Sequence, residues 1–335
     1  MRLHLILLAA LTLTPSAHAA KNLEMYFIDV EGGQATLIVA PSGESMLVDT
    51  GWPGFGARDA DRIAAVMKHA KLKKLDHVFI THFHRDHVGG AAGVAERVPV
   101  GTFYDHGQNI ESDKGALELN AIYAKALAGG AKHVVVKPGD SVPVKGLDVK
   151  VVAANGEHIL TPLTGGGQPN PACAGVERKE PDASENARSA GFVLTFGSFR
   201  FVDLGDLTWN KELDLVCPNN LLGTATVYLT THHGLDQSNA PPIVQALHPK
   251  VAIMNNGARK GGVPSAWRII HSSPGLEDLW QLHFAVAGGK ENNVSDTMIA
   301  NIDEQCEGKY LHMTVQPDGE FTIVNPRNKY TKTYH

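Results

Sequence analysis

The chain concentrates chemically capable side chains in Thr81-His82-Phe83-His84-Arg85-Asp86-His87-Val88-Gly89-Gly90, where three imidazoles and a carboxylate fall within six positions. Imidazole nitrogen and carboxylate oxygen are the ligands that borderline cations such as zinc accept. A His-rich surface loop is the bland alternative in a chain with 17 His. It fits poorly, because the run directly follows an apolar stretch beginning near Leu75. If that stretch is a strand ending in the run, side-chain alternation sets His82 and His84 on one face. Gly89-Gly90 then give the backbone freedom to turn and bring Asp86 and His87 to the same cavity.

The elements that must position this run are legible as short β-rich segments separated by turn signals. Strands are expected at Met25 to Val30, Ala35 to Val39, Ser45 to Asp49 and His77 to Thr81, and further on at His133 to Val136, Asp148 to Val152, Gly191 to Phe196, Arg200 to Leu204, Val227 to Thr231 and Val251 to Met254. Helical spacing of apolar residues runs through Ala57 to Lys74 and Gly115 to Ala128. Pro317-Asp318-Gly319 separates two alternating segments and predicts a hairpin. Strands cluster without strict βα alternation, so two sheets covered by helices suit the order better than one parallel sheet. One long irregular stretch, Asn155 to Ala187, is expected to be a functional loop facing the site.

With these residues in place, His82-x-His84-x-Asp86-His87 after an apolar strand resembles the signature of the metallo-β-lactamase superfamily. That resemblance implies an α/β fold of four layers, an αββα sandwich, holding one or two metal ions. Phe27-Ile28-Asp29-Val30 with Gly32-Gly33-Gln34-Ala35 is similar to the opening of the branch containing competence-protein hydrolase domains and phosphorylcholine esterases. Leu47-Val48-Asp49-Thr50-Gly51 resembles the motif whose Asp supports the metal site from behind the ligands. Phe201 to Leu207 resembles the strand end whose last Asp, here Asp206, bridges two ions; Asp203 is expected to be structural. Thr230-Thr231-His232-His233-Gly234 resembles a His-His-Gly motif, implying one of the two histidines as the last ligand, with His232 preferred and His233 then facing the leaving group or oxyanion; alternation alone does not decide between them.

The expected metal ligands are therefore His82, His84, Asp86, His87, Asp206 and His232, with Asp86 and His233 closest to the chemistry. The implied cofactor is zinc, as one or two ions, with manganese as the alternative. Two departures from the family pattern bear on this set. No third His stands between the early run and Asp206 in the usual place, which leaves Asn186 or His158 as candidates. Leu235 and Val263-Pro264 replace a Ser and a His-Pro of the competence branch, so nuclease activity does not transfer automatically. Asp105 and His106, after a strand, are candidates to line the cleft. His283, read as helical, is a weaker candidate for a substrate contact.

Bulk properties bound the rest. Arg2, the apolar run Leu5 to Leu13, and Ala17-His18-Ala19-Ala20 read as a secretory signal over residues 1–19, followed by one hydrolase domain over 20–335 in the periplasm or medium. No later segment approaches the ~20 apolar residues of a membrane span. Three cysteines permit at most one internal disulfide. A net charge of −5 without a basic stripe argues against tracking extended nucleic acid. The expected partner is a small-molecule or phosphoester substrate. Phosphoester hydrolysis ranks first, β-lactam or lactone hydrolysis second, and a metal-binding module without turnover third.

Overall fold

The computed structural model describes residues 22–335, so the expected signal segment lies outside the described residues. Alternating side chains build the architecture directly. In the strand Leu23–Phe27, Leu23, Met25 and Phe27 point into one core while Tyr26 points into another. In Val251–Met254, Val251 and Ile253 join the first of these cores and Ala252 and Met254 join a third. Strands buried on both faces in this way require a layer on each side. The result is four layers, the expected αββα sandwich. Helices Arg58–His69, Ala91–Arg97 and Lys114–Leu127 cover one nine-stranded sheet, and Trp209–Val216, Pro241–Leu247 and Pro264–His271 cover the facing eight-stranded sheet.

The first sheet runs, in spatial order, Tyr330–Tyr334, Phe321–Asn325, Leu311–Val315, Leu23–Phe27, Thr36–Val39, Ser45–Val48, Leu75–Phe79, Val100–Asp105 and Lys132–Val135. Its early strands are antiparallel, and from Ser45–Val48 onward it is parallel. The second sheet runs Ile299–Asn301, Asp278–His283, Val251–Met254, Val227–Leu229, Phe199–Asp203, Gly191–Phe196, Asp148–Ala154 and Glu157–His158. In each, the loops leaving the carboxyl ends of parallel strands carry the clustered histidines and aspartates, the usual place for a site in a parallel sheet.

Two readings are corrected. His283 ends the strand Asp278–His283 rather than lying on a helix, because Leu279 to His283 are all buried between layers and pair in parallel with Val251–Met254. The stretch Asn155 to Ala187 does not arch freely over the cleft. Its middle is sewn to the flank of the second sheet: Gln168–Pro169 pairs with Asn219–Asn220, Cys173 is disulfide-bonded to Cys217, and Lys179 lies 3.8 Å over the Trp209 ring. Only its closing turn, Glu185–Arg188, reaches the chemistry described below.

Candidate metal centre

The strand Leu75–Phe79 stops earlier than expected, and this changes how the histidines are aimed. His82 and His84 do not sit at alternate positions of a strand. After Ile80 the chain leaves the sheet because Asp49 captures Thr81: its Oδ1 accepts from the Thr81 N–H at 2.8 Å and its Oδ2 from Thr81 Oγ1 at 2.7 Å. His84 caps the one-turn helix Arg85–Val88, which carries Asp86 and His87. Gly90 then passes under the Thr50 carbonyl so tightly that a Cβ there would lie 2.0 Å from that oxygen. From the other sheet, Asp206 follows the strand Phe199–Asp203 and His232 N–H donates to the Gly205 carbonyl at 3.0 Å. His232 and His233 both hold left-handed backbone, φ 54° and 55°, and Asp49 does too, at φ 59°. Such strain in non-glycine residues costs on the order of 1–3 kcal/mol each and persists where the surroundings over-determine it.

These segments bring six expected residues and His233 together, all of them buried except His84, which is partly exposed. Donor atoms of Asp86, His87, Asp206 and His233 all lie within 4.8 Å of one another. His233 Nε2 is 3.1 Å from Asp86 Oδ2, 3.3 Å from Asp206 Oδ1 and 3.2 Å from His87 Nε2. His87 Nε2 is 3.2 Å from Asp206 Oδ2. Alongside, His82 Nε2 stands 3.0 Å from His84 Nδ1 and 3.9 Å from Asp206 Oδ2. His232 Nε2 reaches Asp206 Oδ2 at 3.3 Å. Asp206 is thus common to both groups. The sequence favoured His232 over His233 as the last ligand. The geometry instead sets His233 beside Asp86 and His87, while His232 meets Asp206 from the other side.

The residues behind the cluster decide which ring nitrogen faces it. His87 Nδ1 donates to Asp49 Oδ2 at 2.7 Å, so the lone pair of Nε2 points inward. Thr81 Oγ1 donates to Asp49 and accepts from His82 Nδ1 at 3.1 Å. Ser238 Oγ donates to the Leu207 carbonyl and accepts from His232 Nδ1 at 3.3 Å. His84 donates through Nε2 to Glu111 Oε1 at 3.3 Å. Lone pairs therefore face lone pairs and carboxylates across the cavity, an arrangement that cations reconcile. Asp206 Oδ1 and Asn186 Oδ1 are buried with no hydrogen-bond donor, a cost of about 1–3 kcal/mol each if nothing else engages them. The residues present fit a metal-binding centre on both counts.

Charge tells the same story. Burial opposes ionisation of Asp206, yet His232, His233 and His87 hold its carboxyl well below the usual range. Burial likewise opposes charge on His87, but Asp206, Asp86 and Asp49 drive its pKa well above the ordinary value, so these carboxylates call for a positive charge at Nε2, which either a proton or a cation supplies. Asp203, pushed up to about 7 by burial, does not belong to this set; it accepts from Gln34 Nε2 at 2.7 Å and from the Gly205 N–H at 3.0 Å, a structural placement.

Other candidates are placed elsewhere. Asp105 spends its carboxylate on Tyr123 Oη and His133 Nε2, both at 2.6 Å, and on the Gly107 N–H, so it does not line the centre. His106 bonds Glu185 Oε2 at 2.9 Å. His158 lies on the edge strand Glu157–His158, outside the converging residues. His283 bonds Asp29 Oδ1 at 2.8 Å. Three residues went unread in the sequence. Fully buried Glu185 fixes the turn by accepting from Phe83 N–H, Ile110 N–H and His106. Glu111 orients His84, and Lys260 places Nζ against Asp86 Oδ2. Only Glu185 carried a signal, as the neighbour of Asn186.

Asp49→Asn should retain the fold's outline but lower metal affinity 10–100-fold, because the amide cannot accept from Thr81 N–H, Thr81 Oγ1 and His87 Nδ1 together. Competition titration with a chelator measures this. An unchanged dissociation constant would show that His87 is oriented by other means.

No curated protein matches the sequence. Among solved structures, the metallo-beta-lactamase fold protein YhfI from Bacillus subtilis is 11% identical, covering 87% of this chain and 99% of that one at a TM-score of 0.47. The metallo hydrolase Igni18 from Ignicoccus hospitalis is 13% identical over 87% and 98% of the two chains, TM-score 0.42. A diphosphatase from the PhnP family is 13% identical over 71% and 87%, TM-score 0.40. Likenesses of this size say nothing of substrate. The family model described as Metallo-beta-lactamase superfamily matches residues 28–177; Asp206, His232 and His233 fall beyond it. Residues 28–177, the segment carrying Asp49 and the run His82 to His87, are thus similar to the metallo-β-lactamase superfamily.

Proposed function

We propose that this protein is an exported metal-dependent hydrolase acting on phosphoester or phosphodiester substrates. The observation that carries the reading is the convergence of Asp86, His87, Asp206 and His233 on one point, with His82 and His84 alongside and Asp206 between them. In this reading His82, His84, Asn186 and Asp206 hold one ion, and Asp86, His87, His233 and Asp206 a second. Bound zinc or manganese would supply a Lewis acid and lower the pKa of water to near neutrality. The chain's own part is orientation: Asp49, Thr81, Ser238 and Glu111 fix the ring tautomers, and burial keeps bulk water from the ligands.

An anionic substrate is favoured over a neutral lactone by Lys260. Its ammonium, half-buried at the rim, touches Asp86 and lies 5.2 Å from the centroid of the Trp52 ring. The Gly257–Lys260 turn holds it there through Gly257 N–H donating to the Lys260 carbonyl at 2.8 Å, and Gly262 N–H donates to the His233 carbonyl at 2.9 Å. Export is supported by the Cys173–Cys217 disulfide, a bond that persists in oxidising compartments. Among the described residues no helix is long and apolar enough to cross a membrane.

Metal analysis of the purified protein with a panel of bis-p-nitrophenyl phosphate, nitrocefin and acyl lactones tests the reading. Turnover of the phosphodiester alone supports it; metal content with no turnover of any member favours a binding module. Lys260→Gln should lower kcat/KM for the phosphodiester about tenfold, the scale of one charge-assisted hydrogen bond. Lactone turnover should stay within about twofold of wild type on the same grounds. Equal losses on both substrates would remove Lys260 from substrate recognition.

A further inference from the structure

A second set of ligand-type side chains lies apart from the residues assigned above. Asp29 and Glu31 follow the strand Leu23–Phe27, His283 ends the strand Asp278–His283 of the opposite sheet, and Cys306 lies in the loop before Leu311–Val315. One donor atom from each of the four lies within 4.8 Å of the others. His283 Nε2 is 2.8 Å from Asp29 Oδ1 and 3.4 Å from Glu31 Oε2. Cys306 Sγ is 3.9 Å from His283 Nε2, 3.4 Å from Asp29 Oδ2 and 3.5 Å from Glu31 Oε1. With zinc bonds of about 2.0 Å to nitrogen and oxygen and about 2.3 Å to sulfur, tetrahedral donors stand roughly 3.3–3.6 Å apart. The separations of His283 and Cys306 from the carboxylates and from each other fall within about half an ångström of that range, with Asp29 Oδ1 and Glu31 Oε2 turned toward His283 and Asp29 Oδ2 and Glu31 Oε1 toward Cys306.

Arg62 is the fifth member and determines how the cluster must be read. Its guanidinium reaches Asp29 Oδ2 at 2.9 Å and Glu31 Oε1 at 3.1 Å. These are the oxygens nearest Cys306 Sγ rather than His283 Nε2, and Arg62 Nη2 itself lies 3.8 Å from Cys306 Sγ, so Arg62 fixes both carboxylates from the Cys306 side. Charge then closes: two carboxylates and a thiolate give −3, and Arg62 with a divalent ion gives +3. Asp29 and His283 are fully buried, whereas Glu31 and Cys306 are half-buried and leave a path for an ion.

We infer that Asp29, Glu31, His283 and Cys306 bind a structural divalent transition-metal ion, the mixed sulfur, nitrogen and oxygen donors suiting zinc, with Arg62 orienting the carboxylates. The ion would tie the Cys306 loop to both sheets, since its ligands come from each. Binding involves no redox change: the thiol proton leaves to solvent as the sulfur–metal bond forms.

The three cysteines make the site separately observable, because Cys173 and Cys217 are paired and Cys306 is the free thiol. The other centre offers only nitrogen and oxygen. Cobalt(II)-substituted protein should therefore show a thiolate-to-metal charge-transfer band that Cys306→Ser abolishes. His283→Gln should weaken the band, and Asp206→Ala should leave it intact, which separates this inference from the hydrolase reading. Metal content should fall by one equivalent per chain in Cys306→Ser, and bound zinc should protect Cys306 from alkylation in the wild type. Absence of the band from the cobalt-loaded wild type, with Cys306 alkylated equally fast with and without zinc, would show an ion-pair cluster only.

Discussion

Asp206→Ala is expected to abolish phosphodiester turnover, by on the order of a thousandfold or more, and to leave the purified protein short of metal at its central cluster. A group standing behind a ligand is already worth about 10–100-fold. Asp206 meets His82, His87, His232 and His233 at 3.2–3.9 Å and is the carboxylate common to both halves of the cluster. Its loss removes an anion that four imidazoles face. Asp206→Asn is the informative partner, since it keeps size while removing charge; a similar metal deficit in both variants assigns the effect to the carboxylate. An Asp206→Ala protein with full metal content and a normal rate would overturn the bridging role.

The paired substitutions His233→Ala and His232→Ala should separate two adjacent residues that sequence alone ranks the other way. His233 Nε2 meets Asp86, His87 and Asp206, so His233→Ala should cost one metal equivalent and two to three orders of magnitude in kcat, roughly the scale of losing a group that stabilises the reacting centre. His232 contacts Asp206 alone among the ligand carboxylates, and burial pushes its pKa down to about 4, so it stays neutral across the physiological range. His232→Ala should retain the Asp86–His87–His233 ion while lowering kcat. Equal metal loss in the two variants would restore His232 to the ligand set.

The sandwich and the clustering of the histidine-rich run were legible because each rests on local patterning. Gly191–Phe196 and Val251–Met254 appear at the expected residues, since alternation or an apolar run bounded by polar residues marks a buried strand. His283 was misread because a strand buried on both faces, Asp278–His283, shows no alternation, and its identity depends on a partner strand distant in sequence. The placement of His82 was misjudged for a related reason: a carboxylate 32 positions earlier, not the strand, bends the chain at Thr81. Lys260 and Glu111 left no trace in spacing, because one arrives by a turn from the second sheet and the other from the loop before Lys114–Leu127. Asp105 was overcalled, its exposure at a strand end being cancelled by Tyr123 and His133.

The order of strands in the first sheet bears on when the protein can finish folding. Leu23–Phe27 lies between Thr36–Val39 and Leu311–Val315, so the earliest strand gains its second neighbour only from a hairpin almost three hundred positions later. Closing so long a loop adds an entropic cost and favours slow completion. Until residues beyond Leu311 are available, a nascent chain must leave Leu23–Phe27 as an open edge. This wiring postpones completion of the first sheet until synthesis is nearly over, and it makes the C-terminal hairpin the piece that closes the sheet.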